Sequence, residues 1–508
     1  MEVSTRLLCA LEVVLNVTSG KDMRRIFERI EHNNYLEPNT TGHGFTGWLQ
    51  TNVADAAAYT AGALRLKVFQ AALKMIGWNP DAVLDYITGD ANYLSPTRDQ
   101  TEGLWGLPFH VTTNWKRFSP RDRILETVNS TTGNGTQQYP LYLQLNSLAT
   151  KVLFDECGNG TKPQAIGVEY LHGKSIYRAD PRHNSSIVGV TKQAFARKEV
   201  IVAGGTFSSP QLLQLSGIGP KALLQKYNIN VVSDLPGVGR NLQDNYELPV
   251  IGQAPIDISD KPDPNAPPCT FGAPGDPCVD LWRKGEGPYA RGGSNANAFL
   301  RKTKFAVEGE RDMLMFSTGG FAFRGFQPDT KQNFTVDPPS TFSWSTVKMH
   351  PQNGAGYIQI KSADPQDTPE VNLNYFADGA ETDLGSILDT IAFVRKAYAS
   401  TESPFGPVVP ISPPCPAADV LETGYCRDVE IDKEWIEDQA FGHHPTSTNK
   451  VGPESDPMAV LDTRLRVRGV ERLRVVDASA FPRCPGAFPA VATYMLSEKA
   501  TELVLEDA

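Results

Sequence analysis

The chain of 508 residues holds only eight histidines, and only two of them are adjacent. His32, His43, His110, His172, His183 and His350 are singletons, whereas His443 and His444 stand together in Gly442-His443-His444-Pro445. An imidazole with an unperturbed pKa near ~6.5 can take or give a proton at neutral pH, so a loop-borne histidine is a candidate base. A histidine is more often structural than catalytic. Neighbours on an extended chain point to opposite sides, so at most one of the pair is expected to enter a given pocket. No GxSxG elbow, P-loop or HExxH run is present, which leaves hydrolase and kinase chemistry without support. The seven cysteines, Cys9, Cys157, Cys269, Cys278, Cys415, Cys426 and Cys484, form no CxxC pair with histidines at zinc spacing, and no metal site is expected.

A second candidate is a turn. Val200-Ile-Val-Ala203 is a short apolar strand that runs into Gly204-Gly205-Thr206 and then Ser208-Ser209-Pro210-Gln-Leu-Leu. Ser209 can cap a helix there, Pro210 suits its first position, and Leu212, Leu213 and Leu215 carry it to a Gly217 stop. Free amides at such a helix start can face a phosphate, although by pattern alone a plain helix turn in an α/β sheet suffices.

The elements around these candidates alternate in style. Residues 21–139 are mixed, with a helical stretch at Ala56 to Ile76. Strands follow at Ala149 to Phe154, Ala165 to Leu171, Ser186 to Val190 and Val200 to Ala203. Residues 253–288 are rich in Pro, Gly and Asp and read as a surface excursion. A second body carries a strand at Gly356 to Lys361 and an amphipathic helix at Thr382 to Tyr398. The last 70 or so residues return to α/β style, with a strand at Leu473 to Asp477 and a helix at Ala490 to Leu505 that sets Val491, Met495, Leu496 and Leu503 on one face. The expected fold class is α/β plus α+β: a discontinuous Rossmann-like domain with an inserted antiparallel-sheet substrate domain. Its segments are 1–145 (mixed), 146–250 (nucleotide domain), 251–430 (substrate domain) and 431–508 (return to the nucleotide domain). The strands at 200–203 and 473–476 are then expected to touch.

Composition narrows the partners. Hydrophobic residues at 40% and charged residues at 21% are ordinary globular usage. A net charge of -10 without long blocks offers no basic face to nucleic acid, and no apolar run is long enough to span a bilayer. Cys269 with Cys278, and Cys415 with Cys426, flank loops that a disulfide could close. Sequons at Asn16, Asn39, Asn129, Asn134, Asn159, Asn184 and Asn333 point to a glycoprotein of secreted ancestry. Residues 1–17 oppose that reading, because Glu2 offsets Arg6, Glu12 interrupts the apolar stretch and no clear cleavage site follows, so no signal peptide is expected in the chain as written.

Several runs resemble the glucose-methanol-choline (GMC) flavin oxidoreductases. Gly205-Thr-Phe-Ser-Ser-Pro-Gln-Leu-Leu-Gln-Leu-Ser-Gly-Ile-Gly219 is similar to the family's second signature, and Leu235-Pro-Gly-Val-Gly-Arg-Asn-Leu-Gln-Asp244 follows at the family's spacing. Met349-His-Pro-Gln-Asn-Gly-Ala-Gly, Ser362-Ala-Asp-Pro and Pro369-Glu-Val-Asn-Leu-Asn resemble its substrate-domain sheet. His444-Pro-Thr-Ser-Thr448 through Gly452, and Val467-Arg-Gly-Val-Glu-Arg-Leu-Arg-Val-Val-Asp-Ala-Ser479, resemble its C-terminal pattern. The likeness runs from about Arg25 to the end. It implies a flavin domain under a substrate domain, FAD as cofactor, and hydride transfer from the carbon of a small-molecule alcohol to flavin N5. It places His444 at the position of the catalytic base and His443 behind it. It sets Asp477 and Ala478 along the flavin's ribityl and phosphate chain, Val152 on a strand near the adenine, and Pro489 at the head of a helix pointing toward the flavin ring.

Two departures stand against that pattern. The family opens with a strand and a GxGxxG turn that cradles the FAD pyrophosphate, and none precedes Lys21; Asp22 to Glu31 resembles the helix beyond it. The chain is therefore expected to be a fragment, a mis-started gene product or a form that has lost part of the FAD site, and to bind FAD poorly alone. The family also usually places a second His or Asn where Phe488 stands, and phenylalanine handles no proton. Three readings follow: an FAD-dependent alcohol oxidase or dehydrogenase, with a secondary-metabolite alcohol among the candidate substrates; a non-redox lyase or cyclase on the same scaffold; or a remnant unable to hold flavin. The alcohol, the electron acceptor and the oligomeric state have no signature.

Overall fold

The computed structural model describes residues 20–54, 64–155, 162–257, 269, 274–290, 297–325 and 337–508. Cys9, Cys157, the first part of the helix expected from Ala56 and the sequons at Asn16, Asn159 and Asn333 lie outside the described residues.

From the N-terminal side, α1 (Gly20–Ile30) leads into a short parallel pair, β1 (Glu31–Asn33) with β2 (Leu49–Thr51), and then α2 (Leu66–Met75) and β3 (Gly103–Gly106). The antiparallel meander β4 (Ser147–Asp155), β5 (Gln164–His172) and β6 (Val190–Phe195) precedes β7 (Val200–Val202) and α3 (Gly205–Leu215). Next come β8 (Glu247–Gln253), β9 (Asn297–Arg301), β10 (Met313–Gly319), β11 (Thr341–Lys348), α4 (Ala380–Ala399) and β12 (Val409–Ser412). The chain closes with β13 (Leu473–Val475) and α5 (Ala490–Glu506).

Apolar periodicity explains how these pieces join. Met23, Ile26, Phe27 and Ile30 fall on one stripe of α1, which packs with β7, β13 and α5 into one core. Strands β7 and β13 pair in parallel, with Leu473 opposite Val200 and Val475 opposite Val202, so the two distant stretches do touch. Arg25 and Arg29 on α1 add ion pairs to Glu498 and Glu502 on α5.

The second core lies under one face of a six-stranded antiparallel sheet, in the order β12-β8-β11-β10-β9-β3. On β11, Phe342 and Trp344 point into that core with residues of α2 and α4, whereas Val347 faces the opposite side with Leu314 and the third apolar cluster. Helix α4, expected to be amphipathic, is buried over most of its length. Its Arg395 is buried against Asp432 in a two-pronged ion pair of 2.6 and 2.7 Å. The fold class is mixed α/β with several antiparallel sheets, as expected.

Three local expectations are corrected. The strand expected at Ser186 to Val190 begins instead at Val190, because Asn184 Oδ1 accepts the Ser186 amide and hydroxyl and turns the chain first. The helix expected to start at Pro210 starts at Gly205, and Pro210 lies inside it. The excursion at 253–288 contains a helix, Pro277–Arg283, anchored by buried Cys278. Both expected disulfides are present, Cys269–Cys278 and Cys415–Cys426, with Cα separations of 5.3 and 5.9 Å, and Cys484 is a buried free thiol. Asn39, Asn129, Asn134 and Asn184 are exposed. Among the described residues no helix is long and apolar enough to cross a membrane.

Candidate active site

The histidine pair sits on a short stretch that runs antiparallel to the segment ending in β8. Phe441 bridges Glu247 and Thr446 bridges Gln243, so residues 442–445 bow out between two fixed points. The bow depends on Gly442, where a Cβ would collide with the Tyr375 hydroxyl and the Asp244 carboxylate. Asp244 Oδ1 then accepts the His444 backbone amide at 2.7 Å. On the far side, Thr206 Oγ1 donates to Pro445 C=O at 2.8 Å, and Ser447 and Asn449 donate their amides to Ala478 and Ser479 carbonyls at 3.1 and 2.8 Å. The pair is thus clamped between the first turn of α3 and the chain leaving β13.

The interior position of Pro210 is explained here. Proline lacks the amide that would bond the Thr206 carbonyl one turn back. That carbonyl accepts Thr448 Oγ1 at 2.7 Å instead. Ser209, expected to cap, takes the Gly204 amide at 2.9 Å and gives its hydroxyl to Asp477 Oδ2 at 2.5 Å.

The side chains separate in charge but not in place. Against the expectation of opposite sides, both imidazoles share one cluster, with ring centroids 4.1 Å apart, because the bowed backbone is not an extended strand. His443, the more exposed, faces the fully buried Glu247 with Nε2 to Oε2 at 2.9 Å. Burial alone would lower the His443 pKa, but the hydrogen bond and charge of Glu247, with Asp244 beyond, outweigh it and raise it. His444 moves the other way, to about 3, through burial and then the adjacent His443 charge. Its Nδ1 is buried and has no hydrogen-bond partner. Phe488 presents its ring edge-on to His444 at 5.0 Å and packs on Phe316 of β10 at 6.3 Å, so the residue opposite the imidazole is apolar as expected. Burial pushes Asp244 up to about 7, with Glu247 adding to it and the His444 amide opposing it. Tyr375 is raised by burial and then by Asp244.

The residues expected to meet a cofactor divide into two groups. Pro489 caps α5, whose first intrahelical bond is Thr493 amide to Pro489 carbonyl at 2.9 Å, so the amides ahead of Thr493 open beside Phe488 and His444. Gly205, at φ +82°, has no atom within 4 Å of a notional Cβ, so the glycine turn is open too. The unpartnered His444 Nδ1, the helix start and the open turn fit the ring end of FAD. The other end is less well provided. Both Asp477 oxygens are consumed inside the protein, by the Gly205 amide and Ser209 hydroxyl on one side and the Ser479 amide on the other. Ala478 uses its carbonyl on Ser447. Val152 is buried in β4, and its amide donates to Ser216 Oγ at 2.8 Å.

Sequence reasoning left Glu247, Asp244 and Tyr375 without roles. Asp244 closes a quoted motif, but nothing in its spacing shows that it fixes a backbone amide. Glu247 carried one weak signal, a carboxylate at the head of the apolar run Leu248 to Ile251.

Known proteins match this chain in sequence and in fold. Residues 128–247 and 351–497 match the N- and C-terminal models described as GMC oxidoreductase. The human mitochondrial choline dehydrogenase is 32% identical over 373 residues, covering 72% of this chain and 54% of that protein. An oxygen-dependent choline dehydrogenase of Vibrio vulnificus is 33% identical over 352 residues, covering 67% and 54%. The chain spans about half the length of the curated relatives it matches. A formate oxidase structure superposes with a TM-score of 0.71 at 18% identity, over 100% of this chain and 82% of that one. Pyridoxine 4-oxidase from Mesorbium loti gives 0.68 at 17%, over 99% and 81%. The structural likenesses speak for the fold, and the sequence matches carry the family: this chain belongs to the GMC oxidoreductases.

Proposed function

We propose that this chain carries the proton-transfer site of an FAD-dependent oxidoreductase that oxidises a small alcohol, with His444 as the base. The observation that supports it is an imidazole clamped by backbone on both sides, deprotonated by its surroundings, with a buried nitrogen that no protein group uses. FAD is the cofactor of the family, and when bound it supplies the acceptor for hydride from the alcohol carbon. His444, Pro489 with the amides of α5, and the Gly204–Gly205 turn are the residues that would lie against its ring end. His444 takes the hydroxyl proton. Because burial and the neighbouring His443 charge make it a poor resting host, it passes the proton on instead of keeping it. Glu247 holds His443, and Asp244 holds the His444 backbone; both are positioning residues. Phe488 and Phe316 give the pocket an apolar wall, which suits an alcohol with an apolar or aromatic body. The four exposed sequons and two disulfides support a secreted glycoprotein.

Anaerobic flavin reduction by an alcohol in the flavin-loaded protein tests this reading. His444→Ala should slow reduction by roughly 10²- to 10⁴-fold, the usual worth of a positioned acid-base group. His443→Ala should slow it less. Reduction at the parent rate in His444→Ala would remove the assignment. The apolar Phe488 favours a second reading, a non-redox lyase or cyclase on the same scaffold. A gain in alcohol oxidation by Phe488→His supports the oxidoreductase, and no gain supports the lyase or cyclase.

A further inference from the structure

We propose that Glu247, His443 and His444 form a binding site for a first-row divalent cation, Zn²⁺ foremost. This goes beyond the reading above, because a cation bound there and proton transfer by His444 are mutually exclusive. Spacing in the sequence gave no hint of it, since the carboxylate lies almost two hundred positions from the histidines and reaches them only through the antiparallel bridge of Glu247 to Phe441.

The argument rests on three features of the cluster. One ligand atom from each residue lies within 4.8 Å of the other two. The Glu247 carboxylate is fully buried, and its near partner is His443 Nε2 at 2.9 Å. His444 Nδ1 is buried and has no hydrogen-bond partner. A buried carboxylate beside a buried imidazole nitrogen that has no partner is a place where a cation can be held. Two imidazoles and one carboxylate are a recurrent donor set for zinc, with the remaining position open.

The geometry is near that of a site. Metal–ligand bonds of ~2.0 to 2.2 Å bring tetrahedral ligand atoms to about 3.5 Å from one another. The His443–Glu247 pair is closer than that, and all three ligand atoms lie within 4.8 Å of one another, so side-chain rotation can bring them to bonding geometry. The partly exposed His443 gives an entry path, and the Asp244 carboxylate beside the His444 amide adds a second buried carboxyl at the rim.

Co²⁺ is the probe, because four- or five-coordinate nitrogen and oxygen ligation gives it a visible absorption band, and Zn²⁺ should then displace it. The titration uses the full chain without flavin or alcohol, so its outcome is independent of whether His444 serves an oxidation. The expected result is one equivalent of Co²⁺ bound with a visible band and displaced by one equivalent of Zn²⁺. The band should be lost, or affinity should fall at least about tenfold, in both Glu247→Gln and His443→Ala. It should be unchanged in His172→Ala, a histidine at the end of β5. Glu247→Gln keeps the buried shape, and His443→Ala alters a partly exposed side chain; circular dichroism on each establishes that the fold is intact. No saturable single-equivalent binding in the parent, or undiminished binding in folded Glu247→Gln, overturns the proposal.

Discussion

Two histidines in this fold, one half-buried and one buried, show how far residue type alone carries an argument. His444 was recognisable because it stands in a motif, and its surroundings lower its pKa. His43 had no motif behind it, yet it is held between two carboxylates. Its side chain is buried between Glu31, at 3.0 Å from Nδ1, and Asp90, at 3.0 Å from Nε2. Burial alone would lower its pKa, but the hydrogen bonds and charges of Asp90 and Glu31 outweigh that and raise it to about 9. A folded-state pKa above the unfolded ~6.5 means that the folded protein keeps a proton the unfolded chain gives up. The stability it contributes is full below pH ~6.5 and is lost as the pH rises toward about 9. The loss should amount to roughly 3 kcal/mol at most. Urea unfolding at the two ends of that window should show the parent losing stability and His43→Gln losing distinctly less. Parallel pH profiles for the two proteins would rule this out. Neither Glu31 nor Asp90 is near His43 in spacing that a motif could record, so only the fold reveals the trio.

At the scale of elements, alternation and helical periodicity were enough to find β4, β5, β7, α4, β13 and α5 close to their true limits. Boundaries failed where a side chain from elsewhere changes a local rule. A Ser-Pro pair ordinarily marks a helix start, and Ser209-Pro210 carries that signal. The helix runs through it because Thr448, more than two hundred positions away, supplies the donor that Pro210 lacks. Thr448→Val should therefore leave the Thr206 carbonyl buried and unpaired at a cost of about 1 to 3 kcal/mol, and Thr448→Ser should restore most of it. Denaturant midpoints of the two variants check this. If Val and Ser behave alike, the proline is tolerated for some other reason and α3 is not held by that bond. The same bond ties α3 to the loop bearing His444, so the valine variant should also slow the proposed oxidation more than its stability loss explains.

The return of the chain to its first core was legible at the scale of the whole molecule, because strand and helix style reappears after the inserted sheet. The parallel pairing of β7 with β13 places both arms of the candidate site in one body. At the adenine and ribityl end the structure gives a physical reason for a weak grip on FAD. There, groups that would have to face a cofactor are satisfied within the protein: Val152 amide by Ser216, and both Asp477 oxygens by Gly205, Ser209 and Ser479. The ring end, at His444 and the head of α5, is open, but one helix start and one imidazole offer little of the affinity that amides around a pyrophosphate provide. The 508-residue chain should accordingly bind FAD weakly and reversibly, with visible flavin absorbance lost on gel filtration and regained only in excess cofactor. Yellow protein carrying stoichiometric flavin through the column would contradict this, and would mean that Ser216 and Ser209 release Val152 and Asp477 when FAD arrives. Hydrogen exchange at the Val152 amide, compared with and without FAD, separates the cases. Unchanged protection is expected for weak binding at the ring end, and altered protection for a cofactor that reaches β4.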